Sequence, residues 1–310
     1  MPKKNLIAIT LLFLAFAFVD TSLAATIANL SPVFKPYRDA NKGIKIAIRS
    51  FEEDGHARLV SLDPETFTTE VVDEGAISFA DVRTTEWKGT RFVTALYKYT
   101  APVAGIENHG MRSAEVKKGG LFLTMDLCPS TKGFDRNAFE ATEALGTPAP
   151  IAIAVSGLWI ERHRGEFDWI RREESEGRLA ITWMNHSYSH PFDRLREPKE
   201  NFLLTPGVDF EDEVLRNETL LLENGVAPSP FFRFPGLISD ASLLEKLREL
   251  SLIPIGANAW LAKGERPREG SFILVHGNGN EKGGIEKLLK FYGDNKGVKL
   301  LPLKEAFGHK

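Results

Sequence analysis

A chain of 310 residues with 43% hydrophobic side chains holds enough apolar material for one large globular domain or two smaller ones, which excludes a disordered protein. Its net charge of −3, from 39 basic and 42 acidic residues, offers no basic excess for a nucleic-acid surface. Cys128 is the only cysteine, so no intrachain disulfide is possible and stability must come from the core.

Lys3 and Lys4 precede an apolar run from Leu6 to Val19, and Ser22 and Ala24 follow with the spacing of a cleavage site. The run is shorter than the roughly 20 residues that cross a bilayer. Residues 1–24 therefore read as a signal peptide. The mature protein is expected to be periplasmic or secreted, with no membrane span.

Residues 25–115 carry strand signals. Ile44, Ile46 and Ile48 alternate with Lys45, Ala47 and Arg49, and the runs Arg58 to Leu62 and Thr66 to Val72 are parted by the turn-like Asp63-Pro64-Glu65. Arg91 to Thr100 is rich in β-branched and aromatic residues and is expected to be a further strand. This small β-rich region is expected to cap the domain that follows or to contact carbohydrate. Gly105 to Lys118 reads as a polar connection.

Over residues 116–310 short apolar strands alternate with amphipathic helices. The predicted strands are Leu121 to Met125, Ile151 to Val155, Leu179 to Met184, Phe231 to Arg233, Leu252 to Ile255, Phe272 to Val275 and Val298 to Leu301. One predicted helix carries Phe210, Val214 and Leu221 on a face with Gly225 beyond its end; another is opened by Asp240, with Leu243, Leu247 and Leu250 in register. The alternation predicts an α/β fold with a parallel sheet or barrel, whose reactive groups sit at the carboxyl ends of the strands.

The strand ends carry the candidate chemistry. The first runs into Asp126-Leu127-Cys128, the third into His186-Ser187-Tyr188-Ser189-His190, the fourth into Arg233-Phe234-Pro235-Gly236, and the sixth ends in Leu274-Val275-His276. Two imidazoles four residues apart beside a carboxylate suit a zinc-like divalent ion. His56, His109, His163 and His309 read as ordinary surface or loop residues, and the glycine-rich stretch 277–284 as a flexible loop beside His276.

On these residues the sequence resembles the NodB-like polysaccharide deacetylase family, also described as a carbohydrate esterase family, over roughly residues 119–303. The family's motifs are T-F-D-D, H-[ST]-x-x-H, R-x-P-Y, D-x-x-D-W and L-x-H. His186 to His190 matches the second motif and Leu274-Val275-His276 the fifth; Arg233-Phe234-Pro235 matches the third up to its aromatic, which here is Gly236. The first motif reads Thr124-Met125-Asp126-Leu127, with leucine where the family has a metal-ligating aspartate. The fourth reads Gly256-Ala257-Asn258-Ala259-Trp260, with both carboxylates gone.

The resemblance implies a distorted (β/α)7 barrel of NodB type and a metal-dependent hydrolase that removes N-acetyl groups from an amino-sugar glycan. It implies Asp126 as base, Arg233 as the residue that tunes it and His276 as acid. A divalent ion, expected to be Zn2+, falls to His186 and His190, with Asp126 in preference to Cys128 as third ligand. Backbone donors near Tyr188 are expected to hold the oxyanion, with Tyr188, Phe234, Pro235 and Trp260 against the substrate. Two other readings stay open: an inactive glycan-binding protein on the same fold, and an O-acetyl esterase.

Overall fold

In the computed structural model, residues 25–79, 82–116 and 118–308 are described; the expected signal peptide, residues 1–24, lies outside them. Strands β1 (Ile27–Arg38), β2 (Ile44–Glu53), β3 (His56–Leu62) and β4 (Thr69–Asp73) pair in chain order as an antiparallel sheet. Asp54-Gly55 closes the β2–β3 hairpin with both residues at positive φ, the backbone that matches the twist of the strands it joins. Helices α1 (Thr84–Lys88) and α2 (Arg91–Tyr99) follow. The second corrects the expected strand over Arg91 to Thr100. Phe92, Val93, Ala95 and Leu96 are its buried residues, so the burial follows the helical period and composition misled.

A parallel sheet makes up the larger part. Its chain order is β5 (Phe122–Leu127), α3 (Arg136–Glu143), β6 (Ala149–Val155), α4 (Gly157–Arg162), α5 (Arg164–Ser175), β7 (Leu179–Asn185), α6 (Phe210–Glu223), β8 (Phe231–Phe232), α7 (Ala241–Glu249), β9 (Ile253–Pro254), β10 (Ala259–Trp260), β11 (Phe272–His276) and α8 (Lys282–Asp294). The spatial order is β10-β11-β5-β6-β7-β8-β9, the distorted seven-stranded α/β barrel the alternation predicts. The expected strand over Val298 to Leu301 is only an isolated bridge from Leu300 to Leu121; Ala259–Trp260 supplies the seventh strand instead. Asp240 opens its helix as expected, and Asp209, which the sequence reading did not single out, opens the other. Asp209 accepts from the Glu211 and Asp212 N–H groups, and Asp240 from that of Leu243.

Between β9 and β10 the sheet has a seam, and the segment before the barrel lies along it. Met111 bridges to Ile255 and Ser113 to Ser271, while the Asn108 side chain donates to the Ala257 carbonyl at 2.6 Å. Gly110 has φ +88 and faces Pro254 so closely that a Cβ would stand 2.3 Å from its carbonyl oxygen. The polar connection expected over Gly105 to Lys118 is thus built into the barrel wall.

One core cluster joins the two regions. It takes Ile46, Ile48, Val60 and Phe67 from the first, and Phe122, Phe231, Ile253 and Phe272 from the barrel. A second lies between the parallel sheet and its helices, with Leu123, Met125 and Leu127 packed near Phe139 and Trp159. Strand β5 therefore alternates: odd-numbered residues face the helices, while Phe122 joins the inner core on the opposite side.

Candidate active site

Parallel pairing sets the centre of the site. His276 at the end of β11 is in register with Asp126 on β5, and Asn185, the last residue of β7, with Phe232 on β8. His186 and Arg233 each lie one residue past a strand end. Asp126, His186 and Arg233 are buried, and His276 nearly so.

The Arg233 guanidinium donates from Nη1 to Asp126 Oδ1 at 3.1 Å, and its Nε and Nη2 donate to the Ile255 and Gly256 carbonyls at 3.0 Å each. Asp126 keeps Oδ2 free of the arginine, 3.8 Å from His186 Nε2. His186 Nδ1 lies 2.8 Å from the Arg233 carbonyl oxygen, which accepts only if Nδ1 carries the hydrogen. That tautomer leaves the Nε2 lone pair facing the site. Burial holds His186 below the usual imidazole range despite the Asp126 charge, which keeps the ring neutral as a ligand requires.

The turn that carries the histidine pair is clamped from behind. Asn185 Oδ1 accepts from the Ser187 N–H at 2.9 Å and from Asn217 Nδ2 at 3.0 Å; Glu213 takes the Ser189 N–H and hydroxyl; Ser187 Oγ takes the His190 N–H at 3.2 Å. Ser187 and His190 both have positive φ, a costly backbone that these bonds hold in place. The His186 and His190 rings meet edge to face at 4.8 Å.

Among the described residues, Cys128, His186 and His190 form a group whose ligand atoms all lie within 4.8 Å of one another. One sulfur and two imidazole nitrogens, one of them oriented by a carbonyl, fit a borderline-soft divalent ion. Burial raises the Cys128 thiol, but the His190 and His276 imidazoles beside it outweigh this and bring it down to about 7. For His276 burial lowers the pKa, and Cys128 and Glu281 carry it well above the usual range.

Glu281 is a residue the sequence reading missed. Its Oε2 lies 2.7 Å from His276 Nδ1 and accepts from Trp260 Nε1 at 2.9 Å. It stands five residues past His276, outside every motif, so only the turn between β11 and α8 brings it back. The glycine-rich stretch expected to be flexible is tied down. Gly277 N–H donates to the Asp126 carbonyl, Asn278 Nδ2 to that of Cys128, and Gly279 N–H to Asp135; Gly283 and Gly284 lie within α8.

The expected substrate contacts divide. Trp260 stands beside His276, ring centroids 5.7 Å apart. Phe234 is instead a core residue, packed on Phe210 and Phe232 in the cluster between α6 and α7, and Pro235 is buried at the start of a short 3-10 turn. The Tyr188 ring lies under the Arg216 guanidinium at 3.8 Å and its hydroxyl donates to Glu161, which engages the side chain with α4 and α6. Gly236 has φ +63, and a Cβ there would come within 2.4 Å of the Phe202 ring. Phe202 fills the space that a side chain at 236 would enter, with its ring 5.9 Å from His190 and stacked at 5.1 Å on the exposed Phe192. His109 and His163, expected as surface or loop residues, lie between elements but are largely buried, and His163 Nε2 lies 2.9 Å from the Ser130 carbonyl oxygen.

Comparison with known proteins gives two findings. The family described as RP012 protein N-terminal domain matches residues 29–88, the antiparallel sheet and α1. Similar solved structures include a family 4 carbohydrate esterase from Bacillus anthracis, 21% identical, covering 70% of this chain and 92% of that one with a TM-score of 0.49. Bacillus subtilis PdaA, a family 4 carbohydrate esterase, is 13% identical over 74% and 90% with a TM-score of 0.45. The chitin deacetylase from the fungal pathogen Colletotrichum lindemuthianum is 18% identical over 66% and 93% with a TM-score of 0.44.

Proposed function

We propose that this chain is an exported, metal-dependent hydrolase that removes N-acetyl groups from an amino-sugar glycan, with residues 116–310 as the catalytic region and residues 25–115 as its cap. The observation that carries this reading is the meeting of Asp126, His186, Arg233 and His276 at the carboxyl ends of four parallel strands. His186 and His190 would hold the ion, for which the donor chemistry favours Zn2+. When bound, such an ion would polarise the acetamide carbonyl and lower the pKa of its water towards neutrality.

The chain's own residues do the rest. Asp126 Oδ2 takes the proton of the attacking water, while Arg233 fixes Oδ1 with a charge-assisted bond and keeps the carboxylate aimed. His276 delivers a proton to the departing amine, since an unprotonated amide nitrogen is a poor leaving group. Glu281 holds the other ring nitrogen and favours the charged form of His276. In the histidine turn the N–H groups of residues 186, 187, 189 and 190 are all donated to protein acceptors. Among the described residues this leaves that of Tyr188 for the oxyanion. Trp260 and the exposed Phe192 offer apolar faces to the sugar.

The test is acetate release from chitin oligomers, acetylated glucosamine polymers and peptidoglycan, with metal content measured beside it. About one ion per chain in the parent and none in His186→Ala, together with acetate from one of these glycans, bears the reading out. Glycan binding without release replaces it with the inactive binding protein; release only from O-acetylated sugars replaces it with the esterase.

A further inference from the structure

We infer that Cys128 Sγ, as a thiolate, is the third protein ligand of the ion, in place of the carboxylate that position 127 no longer supplies. This rests on the reading of the site as a metal centre, and the meeting of Cys128 with the two histidines carries it. Leu127 packs into the cluster on the helix side of the sheet and offers no donor atom. Cys128, the first residue past the end of β5, brings its sulfur to His186 and His190 instead.

The distance agrees. Zinc bonds of about 2.3 Å to sulfur and 2.0 Å to nitrogen, at a tetrahedral angle, place the two donors about 3.5 Å apart. Cys128 Sγ and His186 Nε2 lie 3.5 Å apart. His186 supplies the independent sign of a ligand: its side chain is 1% exposed, its Nδ1 is occupied by a carbonyl, and its Nε2 is aimed at the sulfur. The Cys128 carbonyl is in turn held by Asn278 Nδ2 at 2.8 Å.

Two consequences follow from sulfur at this position. A thiolate with two imidazoles selects zinc or cobalt over magnesium or manganese, which take oxygen ligands. Asp126 is released from ligation, so Oδ2 is left to take the proton while Arg233 holds Oδ1.

Cobalt(II) titration of the purified full chain tests this without reference to activity. The expected result is one equivalent of cobalt, with visible d–d bands and a near-ultraviolet thiolate-to-cobalt charge-transfer band. Cys128→Asp should keep bound cobalt and the visible bands while losing the charge-transfer band; Cys128→Ala should bind cobalt at least tenfold more weakly. Alkylation gives a second readout on the parent protein, because the chain has no other cysteine. Zinc should slow modification of Cys128 at least tenfold. Cobalt bound with visible bands but no charge-transfer band overturns the thiolate ligand and leaves the deacetylase reading in place. Equal alkylation with and without bound zinc does the same. Failure to bind any ion overturns both.

Discussion

Two buried arginine–carboxylate pairs sit at different places in this molecule and are built differently. Arg49 of β2 grips Glu218 of α6 with both arms, Nε to Oε2 at 2.5 Å and Nη2 to Oε1 at 2.9 Å, and spends Nη1 on the Ile48 and Leu250 carbonyls. Asn185 Nδ2 reaches the same carboxylate at 3.5 Å. Arg233 meets Asp126 through one oxygen only and turns its other donors to backbone. In the first pair both carboxylate oxygens have a charged partner, which makes it a fastener between the antiparallel sheet and the barrel. The second leaves an oxygen facing the histidines. A buried carboxylate with an oxygen to spare has the freedom a proton acceptor needs.

Matched substitutions break or sharpen that contrast. Asp126→Asn keeps the shape but removes the proposed proton acceptor, and acetate release should fall roughly 10²- to 10⁴-fold per folded molecule. Glu218→Gln makes the same chemical change at the fastener and leaves Arg49 as an uncompensated buried charge. It should cost about 3–5 kcal/mol in urea unfolding while release per folded molecule stays within about threefold. Equal rate losses in the two variants would erase the distinction drawn between the pairs.

Smaller effects are expected further from the reacting atoms. Glu281→Gln should lower kcat about tenfold with KM and metal stoichiometry unchanged, because it loosens the orientation of His276 and not the ion. The partly buried pair of Lys45 and Asp63, 2.9 Å apart, marks the lower end. Burial raises the Asp63 carboxyl, but Lys45 and the Thr66 and Glu65 N–H groups prevail and hold it below its ordinary value. Its stabilisation is therefore present above the unfolded pKa of about 3.9 and lost as pH falls through the lower folded value. Asp63→Asn should cost under about 1 kcal/mol at pH 7, and its melting difference from the parent should close in strong acid.

The strand-end residues were legible because parallel strands deliver their last residues to one face, so motif order along the chain translates directly into proximity. Phe210, Val214 and Leu221, and the run after Asp240, were legible because the caps and the 3.6-residue period agree. What stayed hidden depends on folding back. Glu281 reaches His276 through a turn, Phe202 enters the space above Gly236 from a separate loop, and Phe234 carries a motif position whose side chain faces the core. The helix over Arg91–Tyr99 was missed because its β-branched and aromatic content spoke for a strand while its burial follows the helical spacing.

The seam between β9 and β10 bears on how this chain can be divided. Residues 107–113 precede the barrel yet lie in its wall, against Pro254, Ile255 and Ala257. A fragment cut to begin where the deacetylase-like motifs begin would carry two unpaired strand edges into solvent, with Ile255 uncovered between them. In recombinant work such a fragment is a candidate for self-association, and any transplant of the barrel should carry the preceding arm with it.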